Sequence, residues 1–290
     1  MKNNNLARYA EEIEYDFERL AKDYKAGQHK SSVVGSGFRV KGFESIFDRP
    51  DFSQVDWNST VVSGSRTPLV KIVDQKSSIT VVGIVDATAS MSFSGTVEKF
   101  GEIAKFVVSL GYSAYKIGDK FSVIAYGNKV IGYFEPMTYK NYSLEIGEWL
   151  EELVPEESGS EGLTEALDYL PREKPCLVFW LSDFNKKPEV LANFLDMTVG
   201  VHHIVPVIFW DSAEYNNLPK WGLAHLRDPE TGEVRPEFLT PWRQREIKEA
   251  FENRRSELAA LMAGYGVEPI FVLDKFEPAA VTNFFLEHRS

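Results

Sequence analysis

The sequence is poor in the residues that most often announce chemistry. It holds one cysteine, Cys176, among 290 residues. A single thiol closes no internal disulfide and builds no two-cysteine zinc cluster; opening an apolar run, Cys176 reads as a small buried hydrophobe. Of five histidines only His202 and His203 are adjacent, and neighbours on a strand point to opposite faces, so they make poor co-ligands. Long hydrophobic runs are missing as well. Ile79–Val85 and Val205–Trp210 fall far short of the ~18–20 residues that span a bilayer, so no membrane span is expected. The opening MKNNNLARYAEEIEYDFERL carries acids where a secretory signal has its apolar core, which points to a cytoplasmic protein. Positive charge is in deficit: 32 Lys and Arg against 43 Asp and Glu, a net charge of −11. The deficit lies in residues 76–290, with 21 basic and 32 acidic side chains, while 1–75 are balanced at 11 and 11. Such a surface repels phosphate backbones, so a nucleic-acid partner is not expected. No G-x-x-x-x-G-K-[ST] occurs, and Gly35-Ser36-Gly37 lacks the third glycine of a dinucleotide loop, so the chain is not itself an ATPase.

What is present is globular. Hydrophobic residues make up 43% and charged residues 26%, enough apolar content to exclude disorder as the main state. Leu6, Tyr9, Ile13, Phe17, Leu20 and Ala21 recur at three- and four-residue steps and predict an N-terminal helix. Residues 26–65 are Gly/Ser-rich; SVVGSGFRVKGF suggests two short strands and FDRPDFSQVDWN a loop. We expect 1–76 to form a helix and small β/loop extension packed on a main domain covering 77–290.

From residue 77 strands and helices alternate. SSITVVGIVDA, KFSVIAYG, CLVFWLSD, HHIVPVIFW and VEPIFVLD are near-continuous apolar runs, as expected of parallel strands buried on both faces. Trp180 and Trp210 lie inside two of these runs and should be core. Val97, Phe100, Ile103, Ala104, Val107, Leu110, Gly111 and Ala114 mark one face of a long helix. NKVIGYFE fits an antiparallel partner for KFSVIAYG. Helices are expected at Leu144–Leu153, Thr164–Leu170, Pro188–Val199, Arg243–Met262 and Ala279–His288. The fold class is therefore α/β, a doubly wound, mostly parallel sheet with helices on both faces. The turn signal Pro-Glu-Thr-Gly-Glu predicts a hairpin at about 221–239, appended to the sheet edge. Trp57 and Trp242, outside the sheet pattern, are expected to pack. The arginines 243, 245, 254 and 255 are expected on a solvated helix face.

Ligands of open α/β sheets bind at the carboxyl ends of the strands. Two predicted strands end there in an acid. GIVDATASM places Asp86, Thr88 and Ser90 after the first; VFWLSDF places Asp183 after a later one. This all-oxygen set suits a hard cation, Mg²⁺ or Mn²⁺. The same residues also serve as local caps of helix N-termini, and spacing leaves the two readings even.

Asp86-Ala87-Thr88-Ala89-Ser90 after one buried strand and Leu181-Ser182-Asp183 after another resemble the metal-ion-dependent adhesion site of von Willebrand factor A domains. Asp23-Tyr24-Lys25-Ala26-Gly27, Val55-Asp56-Trp57, Arg66, Gly118-Asp119-Lys120-Phe121 and Arg227-Asp228-Pro229-Glu230-Thr231-Gly232-Glu233 resemble the bacterial domain-of-unknown-function family fifty-eight. The resemblance implies a von Willebrand factor A-like fold and work beside a MoxR-type AAA+ ATPase in assembly or chaperone-like maturation. It also implies direct metal contacts from Thr88 and Ser90 and partly water-mediated ones from Asp86 and Asp183. The family's fifth ligand, a Thr, falls on Glu161 when counted back from Ala166-Leu167, with Ser160 one residue earlier.

The leading expectation is a non-enzymatic interaction module whose ion is completed by an acidic partner or client. A scaffold with a degenerate metal site is one alternative. A Mg²⁺-dependent phosphohydrolase using Asp86 as nucleophile is another; it lacks the second Asp two residues on, where Thr88 stands, and would need Lys186 or Lys187 near the phosphate.

Overall fold

Seven residues, Thr80–Asp86, form the strand around which the main sheet is built. The computed structural model describes residues 6–9, 13, 37–47, 55–76, 78–93, 95–155, 161–172, 174–215, 221–227 and 234–287. Its strands are β1 (Gly37–Ser45), β2 (Leu69–Lys76), β3 (Thr80–Asp86), β4 (Lys120–Tyr126), β5 (Val130–Met137), β6 (Leu177–Ser182), β7 (His203–Trp210), β8 (Gly222–Arg227), β9 (Val234–Leu239) and β10 (Ile270–Leu273). Its α-helices are α1 (Trp57–Val62), α2 (Lys99–Ile117), α3 (Tyr142–Glu152), α4 (Gly162–Glu165), α5 (Pro188–Thr198), α6 (Pro241–Gly264) and α7 (Pro278–Glu287).

Six strands make one sheet in the order β10-β7-β6-β3-β4-β5. All neighbours are parallel except β4 and β5, which are antiparallel. This is the doubly wound α/β class expected of the alternating pattern. Successive strand residues face opposite sides, so each central strand feeds two cores. Val81, Val85, Phe179, Leu181, Val207 and Phe209 pack with α2, α3 and α7. Val82, Ile84, Val178, Trp180, Ile208 and Trp210 pack with α5 and α6. Burial on both faces is why these strands read as continuous apolar runs.

Helix α2 fills one face from Ile103 to Ala114 and stops at Gly118, which takes a left-handed φ of 82°. Mid-helix Gly111 is explained by close approach. A Cβ there would lie 2.5 Å from Phe121 and from Ser143, so the residue that weakens an isolated helix lets α2 sit tightly against β4 and α3. Described parts of the N-terminal segment join this face. Leu6 and Ile13 are buried in it, the Ile13 N–H donates to Ser113 Oγ at 2.7 Å, and Ser109 Oγ donates to the Tyr9 carbonyl. Most of the helix expected there, residues 10–12 and 14–30, lies outside the described residues, as do 48–54.

The chain divides into two compact units, Met1–Gly27 with Ile79–Ser290, and Gln28–Ser78. In the smaller, β1 pairs antiparallel with β2. Of the two strands expected within residues 32–43, the second falls in β1, paired with a segment some thirty residues further on; residues 32–36 lie outside the described residues. The predicted loop at Val55-Asp56-Trp57-Asn58 instead starts α1: Asp56 caps it, accepting from Asn58 N at 3.0 Å and Ser59 N at 3.2 Å. Asp and Asn signal a cap as readily as a turn. Trp57 and Trp242, expected to pack, are 66% and 63% exposed. The 221–239 hairpin forms as β8–β9, but it is a two-stranded sheet of its own rather than an edge of the main one; its turn, 228–233, is outside the described residues.

His202 shows how buried polar groups are satisfied here. Its Nδ1 accepts the Cys176 N–H at 3.3 Å, which requires an unprotonated nitrogen, and burial lowers the pKa of both His202 and His203. A depressed imidazole pKa adds stability that is present above the ordinary value near 6.5 and is lost as pH falls below it. Denaturation series between neutral and mildly acid pH should therefore show stability falling toward acid, and His202→Asn, which keeps an acceptor without titrating, should flatten part of that slope. Equal slopes for both proteins would remove His202 from the acid limb. Gly111→Val should lose roughly 1–3 kcal/mol by overpacking, read as a lower urea midpoint at unchanged m-value.

Candidate functional site at the carboxyl edge of the sheet

Strand β3 delivers Asp86 to the carboxyl edge with its side chain fully buried. The loop folds back at once: Asp86 Oδ1 accepts from the Thr88 N–H at 3.0 Å and from Thr88 Oγ1 at 2.7 Å. Its Oδ2 accepts from Ser182 Oγ at 2.6 Å, across from β6, and from Lys186 Nζ at 2.9 Å. A carboxylate offers about four lone-pair sites, and Asp86 has all of them occupied by protein donors. Thr88 Oγ1 lies 3.4 Å from Ser90 Oγ, and both residues are buried.

Strand β6 delivers Ser182 and Asp183 beside it. Asp183 Oδ1 accepts from Asn185 N at 3.0 Å, and its carbonyl accepts from Trp210 Nε1 at 2.9 Å. The chain then passes through Phe184, buried against Trp180, with a left-handed φ of 55°. That conformation costs a non-glycine residue roughly 1–2 kcal/mol. It is held by Phe184 N donating to Ser182 Oγ at 3.0 Å and by Arg254 from α6, which donates to the carbonyls of Phe184 and Lys186 at 3.0 and 2.7 Å. The turn brings Lys186 back onto Asp86 and Thr88, the latter at 3.3 Å. Arg254, read from sequence as part of a solvated face, is a structural donor at the site.

The second cation comes from the first turn of α2. Lys99 Nζ is 3.3 Å from Asp183 Oδ2, 2.6 Å from Glu214 Oε1 and 3.4 Å from the Ser90 carbonyl. Lys99 and Lys186 are 2% and 9% exposed. Taking an ammonium out of water costs several kcal/mol unless a counter-charge and further acceptors replace the solvent, and each lysine has both. Below the edge, Asp211 at the end of β7 accepts from the N–H groups of Gly95, Thr96, Val97 and Ala213, at 3.1, 2.8, 3.1 and 2.8 Å. It ties the loop that leads into Lys99 to the strand that leads into Glu214.

The electrostatics follow the contacts. Burial pushes the Asp86 carboxyl up, but the Lys186 charge and the bonds from Ser182 and Thr88 outweigh it, and the group stays below the ordinary range. Burial pulls Lys99 down, and Asp183 and Glu214 more than restore it. Glu214 is raised, because its burial outweighs the attraction of Lys99. Tyr126, which receives a hydrogen bond from Trp180 Nε1 at 3.2 Å, is raised well above its usual value by burial and by the Asp86 charge.

Of the residues singled out from sequence, Asp86, Thr88, Ser90 and Asp183 gather at one edge. Asp86, Thr88 and Ser90 touch in series, and Asp183 joins them through Lys99. Glu161 stands at the start of α4, exposed, bordering an open cleft with Leu163, Glu189 and Phe194; among the described residues no side-chain partner of Glu161 is found. Ser160 lies outside the described residues. The residues missed were Lys99 and Glu214, and Lys186 was considered only as a phosphate ligand. Lys99 falls between Val97 and Phe100 at the start of an amphipathic helix, where a lysine ordinarily faces water.

A hard divalent ion needs oxygens with free lone pairs in one shell. Here those of Asp86 are filled, Asp183 is engaged, and two ammonium groups lie against the same atoms. As arranged, the set does not fit a divalent ion.

Asp86→Asn should leave a buried ammonium without its counter-charge and lose about 3–5 kcal/mol in chemical denaturation. Asp86→Asn with Lys186→Met should lose less than the sum of the single changes; strict additivity would mean that the two are not energetically coupled.

Sequence and structure comparisons find similar proteins. A protein from Paracoccus denitrificans, described as an uncharacterized protein in moxR 3′ region, is 35% identical over 102 residues, covering 35% of this chain and 94% of the relative. Among solved structures, the conserved hypothetical protein BatB from Bacteroides thetaiotaomicron is similar with a TM-score of 0.40 at 13% identity, over 72% of this chain and 97% of that one. A von Willebrand factor type A protein from Catenulispora acidiphila has a TM-score of 0.37 at 13% identity, over 76% of this chain and 43% of that one. The family model described as "Protein of unknown function DUF58" matches residues 49–259, and the chain belongs to that family.

Proposed function

We propose that this protein is a non-catalytic interaction module that works with a MoxR-type AAA+ ATPase in assembly or chaperone-like maturation in the cytoplasm. The observation that carries the reading is the likeness to the Paracoccus protein of the moxR 3′ region, which spans nearly that relative's whole length. The chemistry of the edge supports it. Asp86 is fully buried with every lone pair engaged, so it is in no state to attack phosphorus, and this speaks against the phosphohydrolase alternative. Among the described residues no helix is long and apolar enough to cross a membrane. An acidic client, expected to complete an ion's shell, meets no exposed cation in this cluster, because both lysines are buried. Contact at the edge falls instead to its rim, where Phe93 is 40% exposed; it follows Ser90 closely and covers Lys99 with its ring centroid 5.7 Å from Nζ.

The test is binding to a purified MoxR-type ATPase from the same cell, by titration calorimetry with ATP analogue, ADP or no nucleotide. A dissociation constant of about 1 μM, near −8 kcal/mol, is expected in at least one nucleotide state, with Phe93→Ala weakening it about tenfold. No association in any state would sink the proposal.

A further inference from the structure

We infer that Lys99 and Lys186 are the resident cations of the carboxyl edge, filling by covalent tether the place that a divalent ion would take. The inference rests on the side-chain geometry and is independent of the ATPase partner.

The two ammonium groups together carry two positive charges, the same as one divalent ion. Each joins two or more of the edge's oxygens. Lys186 Nζ joins Asp86 Oδ2 to Thr88 Oγ1, at 2.9 and 3.3 Å. Lys99 Nζ joins Asp183 Oδ2 to the Ser90 carbonyl, at 3.3 and 3.4 Å, with Glu214 Oε1 at 2.6 Å. Between them they reach Asp86, Thr88, Asp183 and the carbonyl of Ser90, four of the six residues that the sequence offered as ligands; Glu161 is not among their contacts, and Ser160 lies outside the described residues. Three carboxylates face two ammoniums, and Glu214 is the additional acid that the second lysine brings.

Neither lysine is poised to leave. Lys186 lies 5.6 Å over the Tyr126 ring, its carbonyl is held by Arg254 at 2.7 Å, and its backbone follows the left-handed turn at Phe184. Lys99 is closed over by Phe93 and by Glu214, and its helix begins just after the loop that Asp211 fixes at Gly95, Thr96 and Val97. An entering divalent ion would meet two fixed positive charges at hydrogen-bond distance from the oxygens it needs. It would also have to strip at least one lysine of its counter-charge inside the protein.

The functional consequence concerns how the edge recognises anything. A metal-centred edge senses ion concentration and holds a vacant coordination position for an outside carboxylate. A lysine-filled edge does neither: its charge does not follow ion concentration, and its cations are buried, Lys99 against Phe93 and Lys186 over the Tyr126 ring.

Thermal unfolding of the full chain, after chelator treatment and then in excess Mg²⁺ or Mn²⁺, tests this directly, with Mn²⁺ paramagnetic resonance as a second readout. The expected result is a melting temperature unmoved by either ion or by chelator, and no bound Mn²⁺ signal. Lys186→Met should melt about 5–10 °C lower and regain part of the loss in Mn²⁺, because the vacated oxygens of Asp86 and Thr88 become available. Saturable Mn²⁺ binding to the unaltered protein, abolished by Asp86→Ala, would overturn the inference, and so would Lys186→Met melting like the parent. Should Lys186→Met fail to fold, Lys99→Met and the Mn²⁺ resonance of the unaltered protein still decide it.

Discussion

The contact on which the carboxyl edge depends is the buried pair of Lys186 and Asp86. Asp86 is fully enclosed, and a lone carboxylate there would be forced to take up a proton. Lys186 keeps it charged, and a charged Asp86 then accepts three further hydrogen bonds, two that fix Thr88 and one that fixes Ser182. Ser182 in turn holds Phe184 in its left-handed conformation, and that turn is what points Lys186 back at Asp86. The loop is self-consistent: each member needs the others, so the edge is one cooperative unit rather than a set of separate caps.

The sheet makes this possible by bringing distant residues to one line. Strands β3 and β6 are parallel neighbours in register, Val85 against Leu181, so Asp86 and Ser182 emerge side by side although 96 residues separate them. Strand β7 adds Asp211 on the same edge, and α2 starts where Asp211 binds its leading loop. Glu214 and Lys99 meet for that reason. A doubly wound sheet normally reserves this edge for a ligand; here Lys186 and Lys99 lie against the central carboxylates, and the exposed rim carries Phe93 beside polar residues such as Ser92, Thr96 and Asn185.

Membership of the DUF58 family was legible because contiguous motifs can be read in one-dimensional text: Val55 through Trp57, Gly118 through Phe121, Arg227 through Glu233. The sheet was legible for a related reason. A strand buried on both faces must be apolar at nearly every position, and that signature needs no partner to be recognised. The smaller unit was harder. Its strand pair joins Gly37–Ser45 to Leu69–Lys76 across a helix, and nothing in either segment names the other. Asp56 was read as a turn residue because caps and turns draw on the same side chains, and only backbone direction separates them.

The sequence by itself determined the class of fold, the all-oxygen set at the ends of two strands, and the absence of cysteine, zinc-cluster or nucleotide-loop chemistry. These depend on composition, local periodicity and short spacings. Only the tertiary structure decided what balances the charge of the acids. Lys99 is 13 residues from Asp86 and 84 from Asp183, and reads as an ordinary helix-surface lysine until α2 is laid across the edge and its ammonium is buried against Asp183 and Glu214. A carboxylate in a sequence states that a positive charge is needed nearby; whether an ion or a lysine supplies it depends on which side chain the fold brings within about 3 Å.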